Sequence, residues 1–224
     1  MSGVVVLRLS GPMQSWGTRS RFIHRDTESE PSKSGVIGLV AAALGRPRNA
    51  DLSDLAGMSM AVRIDAPGHA EVDYQTTLNV IRADGGKNDM AVQSWRHYLA
   101  DARFMVALGG ELWLCQAIAS ALKAPVWPSF LGRKGYVPGE PVWVADGVQE
   151  DGLVLEALRE VAWPRSKSGA AAKLEAVVEC AAGEPGEERN DVPLSFVVDD
   201  RRYRSRRVKR VWLEAGAKVE EVES

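Results

Sequence analysis

Cysteine is nearly absent from this chain: Cys115 and Cys180 are the only two in 224 residues, far apart in mostly apolar surroundings. That excludes a disulfide framework and a metal knuckle and leaves two reduced core thiols. Histidine is nearly as scarce, and His24, His69 and His97 do not pair at ligand spacing, which argues against a histidine metal site. Long apolar runs are missing too. Residues 3–9 are broken by Arg8 and too short for a signal segment, and nothing approaches the ~18 apolar residues of a membrane span. The expectation is a cytoplasmic chain with no membrane partner. No G-x-G-x-x-G, Walker loop, H-E-x-x-H or nucleophile elbow occurs, and Gly11, Ser15 and Gly17 have the wrong spacing for the last. No metal and no cofactor are expected.

Charge excess of one sign is also lacking, since the formal net charge is −2. The distribution is less even. Residues 1–48 carry seven Lys/Arg against three acids, and residues 201–210 carry seven cations and no acid. Residues 174–191 are acidic by six to one. A basic surface can therefore exist inside a neutral total. The carboxylate pairs Asp199-Asp200 and Glu187-Glu188 sit in polar stretches and read as solvated surface.

With 45% hydrophobic residues, the chain is long enough to bury a sizeable core. Strands are expected at 4–9, 58–64, 103–108 and 142–145, with helices at 33–44 and 112–123. Between the second and third strands, residues 71–93 read as a long exposed hairpin whose turn-rich tip is Ala83-Asp84-Gly85-Gly86-Lys87-Asn88-Asp89. The order β-α-β-hairpin-β-α-β predicts an α+β, ferredoxin-like (RRM-like) domain over 1–148 with one inserted hairpin. A helical run at 153–162 and strands at 174–180, 194–198 and 207–213 predict a small, mostly β annex over 149–224.

Four stretches carry chemistry. In Leu7-Arg8-Leu9-Ser10-Gly11-Pro12-Met13-Gln14-Ser15-Trp16-Gly17, Trp16 is either an anchor for the turn or a stacking surface for a base, and the amide of Gln14 can read base edges. In Pro31-Ser32-Lys33-Ser34-Gly35-Val36-Ile37-Gly38-Leu39, Lys33 and Ser34 are either a helix cap or a phosphate seat using the amides around Gly35. Gln93-Ser94-Trp95-Arg96-His97-Tyr98 reads first as a helix turn burying Trp95 and Tyr98. In Phe130-Leu131-Gly132-Arg133-Lys134-Gly135-Tyr136, two glycines flank two cations, so the backbone can approach an RNA strand while Tyr136 stacks. In the Arg-rich run 201–210, one face of a strand could line a groove.

Together with Asp73-Tyr74-Gln75-Thr76, Trp95 to Phe104, Asp191-Val192-Pro193 and Arg202-Tyr203-Arg204, these motifs span almost the whole chain. In order and spacing the chain resembles the CasD family of the RAMP superfamily, subunits of type I-E CRISPR Cascade complexes. The resemblance implies an RRM-like domain, a protruding thumb hairpin at roughly 71–93, and a small β annex. It implies a non-catalytic RNA-binding role in antiviral defence, gripping the 5′ handle of the CRISPR RNA. Its implied partners are that RNA, the last backbone subunit, the PAM-reading large subunit and, through the guide, target DNA. The RNA-binding residues expected are Gln14, Trp16, Lys33, Ser34, Arg133, Lys134 and Tyr136, with Gln75 and Arg96 added from the motifs that carry the resemblance. A second reading is a metal-independent repeat-RNA endoribonuclease, as in type I-C relatives. It needs a base near the 2′-OH and a cation for the developing charge, for which His97, Tyr98 and Lys134 are the candidates.

Overall fold

Val4, Val5, Val6, Leu7 and Leu9 are all buried, on both faces of one extended segment, as expected of a strand in the middle of a covered sheet. The computed structural model describes residues 1–18, 23–81, 84–86, 90–162 and 173–214. In chain order its elements are β1 (Ser2–Ser10), β2 (Met13–Gln14), β3 (His24–Arg25), α1 (Lys33–Ala43), α2 (Ser53–Gly57), β4 (Ser59–Ala66), β5 (His69–Thr77) and β6 (Val92–Ala100). They continue with β7 (Arg103–Glu111), α3 (Leu112–Lys123), β8 (Trp143–Glu150), α4 (Val154–Glu160), β9 (Lys173–Glu179), β10 (Glu187–Ser195) and β11 (Arg202–Glu214).

Among the described residues, the main sheet has seven strands in the order β10-β11-β9-β4-β7-β1-β8. Its portion β4-β7-β1-β8, with α1 following β1 and α3 following β7, is the expected β-α-β-β-α-β succession. Val5, Leu7 and Leu9 turn toward α1 and α3, where Val36, Ile37, Val40, Cys115 and Ile118 fill one core. Val4 and Val6 turn the other way, onto Ala157 and Leu158 of α4. The alternation along β1 thus feeds two layers.

The annex expected over 149–224 does not stand apart from the first 148 residues. Residue 148 lies inside β8, and β9 pairs with β4 in the register Ala61↔Val178, Val62↔Val177 and Arg63↔Ala176. The backbone groups on that edge of β4 need partners, and the small and β-branched residues of β9 supply them. The strand expected at 194–198 lies instead at Glu187–Ser195. It is an edge strand, where exposed Glu187 and Glu188 and a proline at 193 are tolerated. Arg63, fully buried, ties the late chain to the early one. It donates to the carbonyls of Leu158, Val161 and Ala162 at the end of α4 and pairs with Asp65. Those carbonyls have no partner inside the helix, so a buried guanidinium is their cap.

A second, smaller sheet carries β2, β3, β5 and β6. β5 and β6 pair in unbroken register from His69↔Ala100 to Thr77↔Val92, so the expected hairpin is present and longer at its root. Residues 93–98 are strand, not the helix turn expected. Their aromatic and β-branched neighbours find a full ladder along β5, and tertiary pairing overrides the i, i+3 spacing. Of the expected tip, Ala83 and residues 87–89 lie outside the described residues.

Candidate nucleic-acid interface

The first motif builds the protein rather than a ligand surface. Gln14 is fully buried, donates from Nε2 to the carbonyls of Leu9 (3.2 Å) and Ala102 (2.6 Å), and accepts from the Trp16 indole (3.2 Å). Trp16 is 1% exposed and packs against Gly35, where a Cβ would lie 2.7 Å from its ring. The expectation that Gln14 reads a base and Trp16 stacks on one is corrected. A buried amide and indole satisfy each other, and both are used up. Gly35 is the counterpart that lets α1 sit on the ring.

Lys33 is corrected in the same way. Its ammonium, 3% exposed, donates to the Met58 carbonyl at 2.6 Å and to Glu179 at 2.8 Å. Arg206 joins the network, bonding Glu179 at 3.0 Å and Asp191 at 2.7 and 2.9 Å. The Lys33 amide donates to Asp191 and the Gly35 amide to the Ser32 cap, so the start of α1 spends these donors internally. Burial pushes the Lys33 ammonium below its ordinary value, against the pull of Glu179. Burial favours the neutral Asp191, but the bonds from Arg206 and the Lys33 amide outweigh it and hold that carboxyl below its usual range. Ser34, by contrast, is half-buried and faces a groove.

The loop at 130–137 splits. Gly132 has φ +88°, and a Cβ there would lie 1.7 Å from the Ser15 carbonyl oxygen, while Ser15 N donates to the Leu131 carbonyl. The close backbone approach expected of this glycine is made to the protein itself. Arg133 donates to Tyr136 Oη at 2.8 Å and to the His97 carbonyl at 2.9 Å, with the Arg25 carbonyl at 3.4 Å. Tyr136 is 8% exposed, its ring 5.9 Å from that of Tyr98. Tyr136 is therefore a packing residue, not a stacking surface, and Arg133 clamps the loop to β6. Lys134 points free into solvent along the groove.

Gln75 and Arg96 come together on the hairpin face that also holds Asp73 and Ser94. Asp73 pairs across from Arg96 and Gln75 from Ser94, and the side chains bond as Gln75 to Asp73 (2.6 Å) and Arg96 to Ser94 (3.2 Å). His97 is exposed, while Tyr98, one residue on, turns the other way onto Tyr136. The trio His97, Tyr98 and Lys134 does not converge on one point.

What does converge is a groove of about 1120 Å³ beside α1. Its floor is the side of α1 bearing Ser34, Gly35, Gly38 and Ala42. One wall is the 127–137 loop, fixed because Val126 and Trp127 donate to the last carbonyls of α1 at Ala43 and Ala42. The other is formed by Phe196, Arg201 and Tyr203. Among the described residues, six cations line it (Arg25, Arg46, Arg48, Arg133, Lys134 and Arg201) against a single carboxylate, Asp26. Arg46 is held by Asp54 and Arg133 by its clamp. Among the described residues, the side chains of Arg25, Arg48, Lys134 and Arg201 have no bonded partner, and all four are exposed. Trp127 and Tyr203, 44% and 37% exposed, add rings to the rim. Free cations interleaved with aromatics are the chemistry that holds single-stranded nucleic acid. Sequence reasoning missed Arg25, Arg48 and Arg201 as a set, although the basic excess in residues 1–48 and the run 201–210 contain all three.

A family model described as CRISPR-associated protein (Cas_Cas5) matches residues 4–209. The chain belongs to this family. "CRISPR system Cascade subunit CasD" of Escherichia coli (strain K12) is 34% identical over 163 residues, 64% of this chain and 71% of that protein. A chain of a solved "CRISPR RNA-guided surveillance complex" matches with a TM-score of 0.80 at 36% identity, covering 96% of this chain and 91% of its own. A second solved structure, "Crystal structure of Cas protein", matches with a TM-score of 0.73 at 40% identity, covering 94% and 95%. The span matched to the Cas_Cas5 family takes in every groove residue from Ser15 to Tyr203 and both arms of the hairpin.

Proposed function

We propose that this Cas_Cas5 protein is a guide-RNA-binding subunit of a type I-E Cascade complex, non-catalytic, and that it grips the 5′ handle of the CRISPR RNA in the groove beside α1. One observation carries the reading. Four exposed cations without partners, and a fifth and sixth anchored by their own contacts, face one carboxylate across an open groove rimmed by aromatic rings. In this role the hairpin is the thumb. The partners are the neighbouring backbone subunit and the PAM-reading large subunit, and target DNA is met through base pairing of the guide.

The full chain is titrated with single-stranded repeat-derived RNA between low and moderate salt. Four phosphate contacts give a slope of log K against log salt of about −3. Replacing Arg25, Arg48, Lys134 and Arg201 by alanine together is expected to flatten that slope and weaken binding. An unchanged slope would place the RNA elsewhere. The same RNA, incubated with the chain in EDTA, is expected to be recovered intact, because His97 and Tyr98 lie on opposite faces of β6 and Lys134 lies apart from them on the 127–137 loop. Cleavage that persists in a His97→Ala control would also count against that trio.

A further inference from the structure

The hairpin has a face turned away from the side on which Tyr98 packs against Tyr136. On β6, Gln93, Trp95 and His97 alternate with Ser94, Arg96 and Tyr98, and their partners across the ladder are Thr76, Tyr74 and Val72. On this reverse face three rings meet. His24 lies stacked on Trp95 with centroids 5.1 Å apart and planes 16° from parallel, and Tyr74 tilts against Trp95 at 5.4 Å. Tyr74 is 51% exposed and His24 is exposed, so the cluster is open to solvent rather than part of a core.

β3 explains how the rings join the groove. It is a two-residue strand running parallel to β6, with His24 beside Trp95 and Arg25 beside Arg96, and it is fixed by the bond from Trp95 N to the Ile23 carbonyl. Adjacent residues of a strand point to opposite faces. Arg25 accordingly lines the groove while His24 stacks on the reverse side. A strand leaving the groove past Arg25 and turning over this short edge arrives at His24, Trp95 and Tyr74.

We propose that His24, Trp95 and Tyr74 form a stacking platform for one splayed base of the single strand held in the groove. The proposal rests on the function inferred above. Splayed single-stranded bases are recognised by stacking on His, Tyr and Trp rings with hydrogen bonds at their edges, and Gln93, Thr76 and His97 flank the rings with donors and acceptors. Val72 (46% exposed) and Ile23 (41%) add apolar surface beside the rings. Gln93, Thr76 and His97 on the same face, with an unpartnered cation one residue away at Arg25, favour a nucleotide over an apolar protein surface.

The test uses the full chain and repeat-derived single-stranded RNA carrying 2-aminopurine at one position at a time, read by fluorescence and by anisotropy. One position, or two adjacent ones, is expected to be strongly quenched on binding. The double substitution His24→Ala/Tyr74→Ala is expected to abolish that quench and to lower affinity about tenfold, the loss of roughly one stacked base. The salt slope should not move, because no cation is removed. Trp95→Phe, which keeps a ring, should keep the quench. Bound RNA whose quench survives in the double variant overturns the platform and leaves the groove standing. RNA that does not bind the wild-type chain overturns both. Full RNA affinity and an intact quench in the double variant, with failed assembly into the complex, would assign the rings to a subunit contact instead.

Discussion

Replacing Lys33 by alanine separates two accounts of the Ser32-Lys33-Ser34-Gly35 motif: a phosphate seat, or a buried joint. The side chain is 4% exposed and its ammonium reaches the Met58 carbonyl and Glu179. Breaking a buried ion pair from one side typically costs about 3–5 kcal/mol, because the other partner keeps its desolvation cost. Arg206 stays 3.0 Å from the same Glu179 oxygen, which favours the lower end, about 3 kcal/mol. For a chain of this size that is a fall in Tm of roughly 6–12 °C. Lys33→Met takes the ammonium from the same Met58 carbonyl and Glu179 oxygen but keeps the packed stem, so it should lose less than Lys33→Ala by about the packing of the stem. The lysine's folded pKa is depressed, so between it and the ordinary value of 10.5 the unfolded chain binds more protons. Stability from this group rises with pH across that window, and Lys33→Met should remove the rise. Circular dichroism melts across pH and RNA anisotropy below the melting range measure both halves. A Lys33→Ala chain that melts like wild type while its salt slope shrinks by about 0.7 would refute the joint and restore the phosphate cation.

Three further outcomes follow from the same geometry. Gly132→Ala, at φ +88° and with no room beside the Ser15 carbonyl, should lower stability by about 1–3 kcal/mol in chemical denaturation, and a neutral result would mean the loop is not docked. Arg133→Ala should lower Tm through its lost bonds to Tyr136 and the His97 carbonyl, whereas Lys134→Ala should leave Tm alone and weaken RNA binding; the reverse pattern would exchange their roles. Asp191 has a folded pKa below 3.8, so its contribution is present above that value and lost as pH falls through the lower one; Asp191→Asn should flatten the acid limb of stability, and an unchanged limb would show that Arg206 does not hold it.

The elements were legible where one local signal dominates. The helix expected at 112–123 is α3 residue for residue, because an apolar period runs up to Ala124-Pro125 without interruption. β1 and α1 were readable for the same reason. The joining of β9 to β4 was not, since strand pairing across more than a hundred residues leaves no local trace. The site was legible as chemistry and misread as geometry. Gln14, Trp16 and Lys33 are chemically able to hold RNA, and the sequence records no difference between an amide facing solvent and one facing the Leu9 carbonyl. Burial decides, and burial is a tertiary quantity. Lys134 and Ser34 were found because each lies beside a backbone feature, a loop tip or a helix start. Arg25, Arg48 and Arg201 were missed because they come from three segments that only the fold brings together.

The covering of the sheet also explains why the groove is where it is. An RRM reads RNA on the open face of its four-stranded sheet, where aromatic residues stack on bases. Here that route is closed, for α1 and α3 pack one face and α4 the other, and the residues under α4 are Val4, Val6, Ala61 and Ala107 rather than rings. Arg63 holds α4 down by its last carbonyls, so the helix cannot lift without stranding a buried guanidinium. The aromatic residues displaced from the sheet reappear at its periphery, on the 127–137 loop, the β10–β11 connection and the hairpin. The groove beside α1 is lined at the helix start by Ser32 and Ser34 and on its wall by Arg133. Arg133 touches both the loop and β6, so any ligand that displaced it would loosen the joint between loop and hairpin, and Arg133→Ala should do the same.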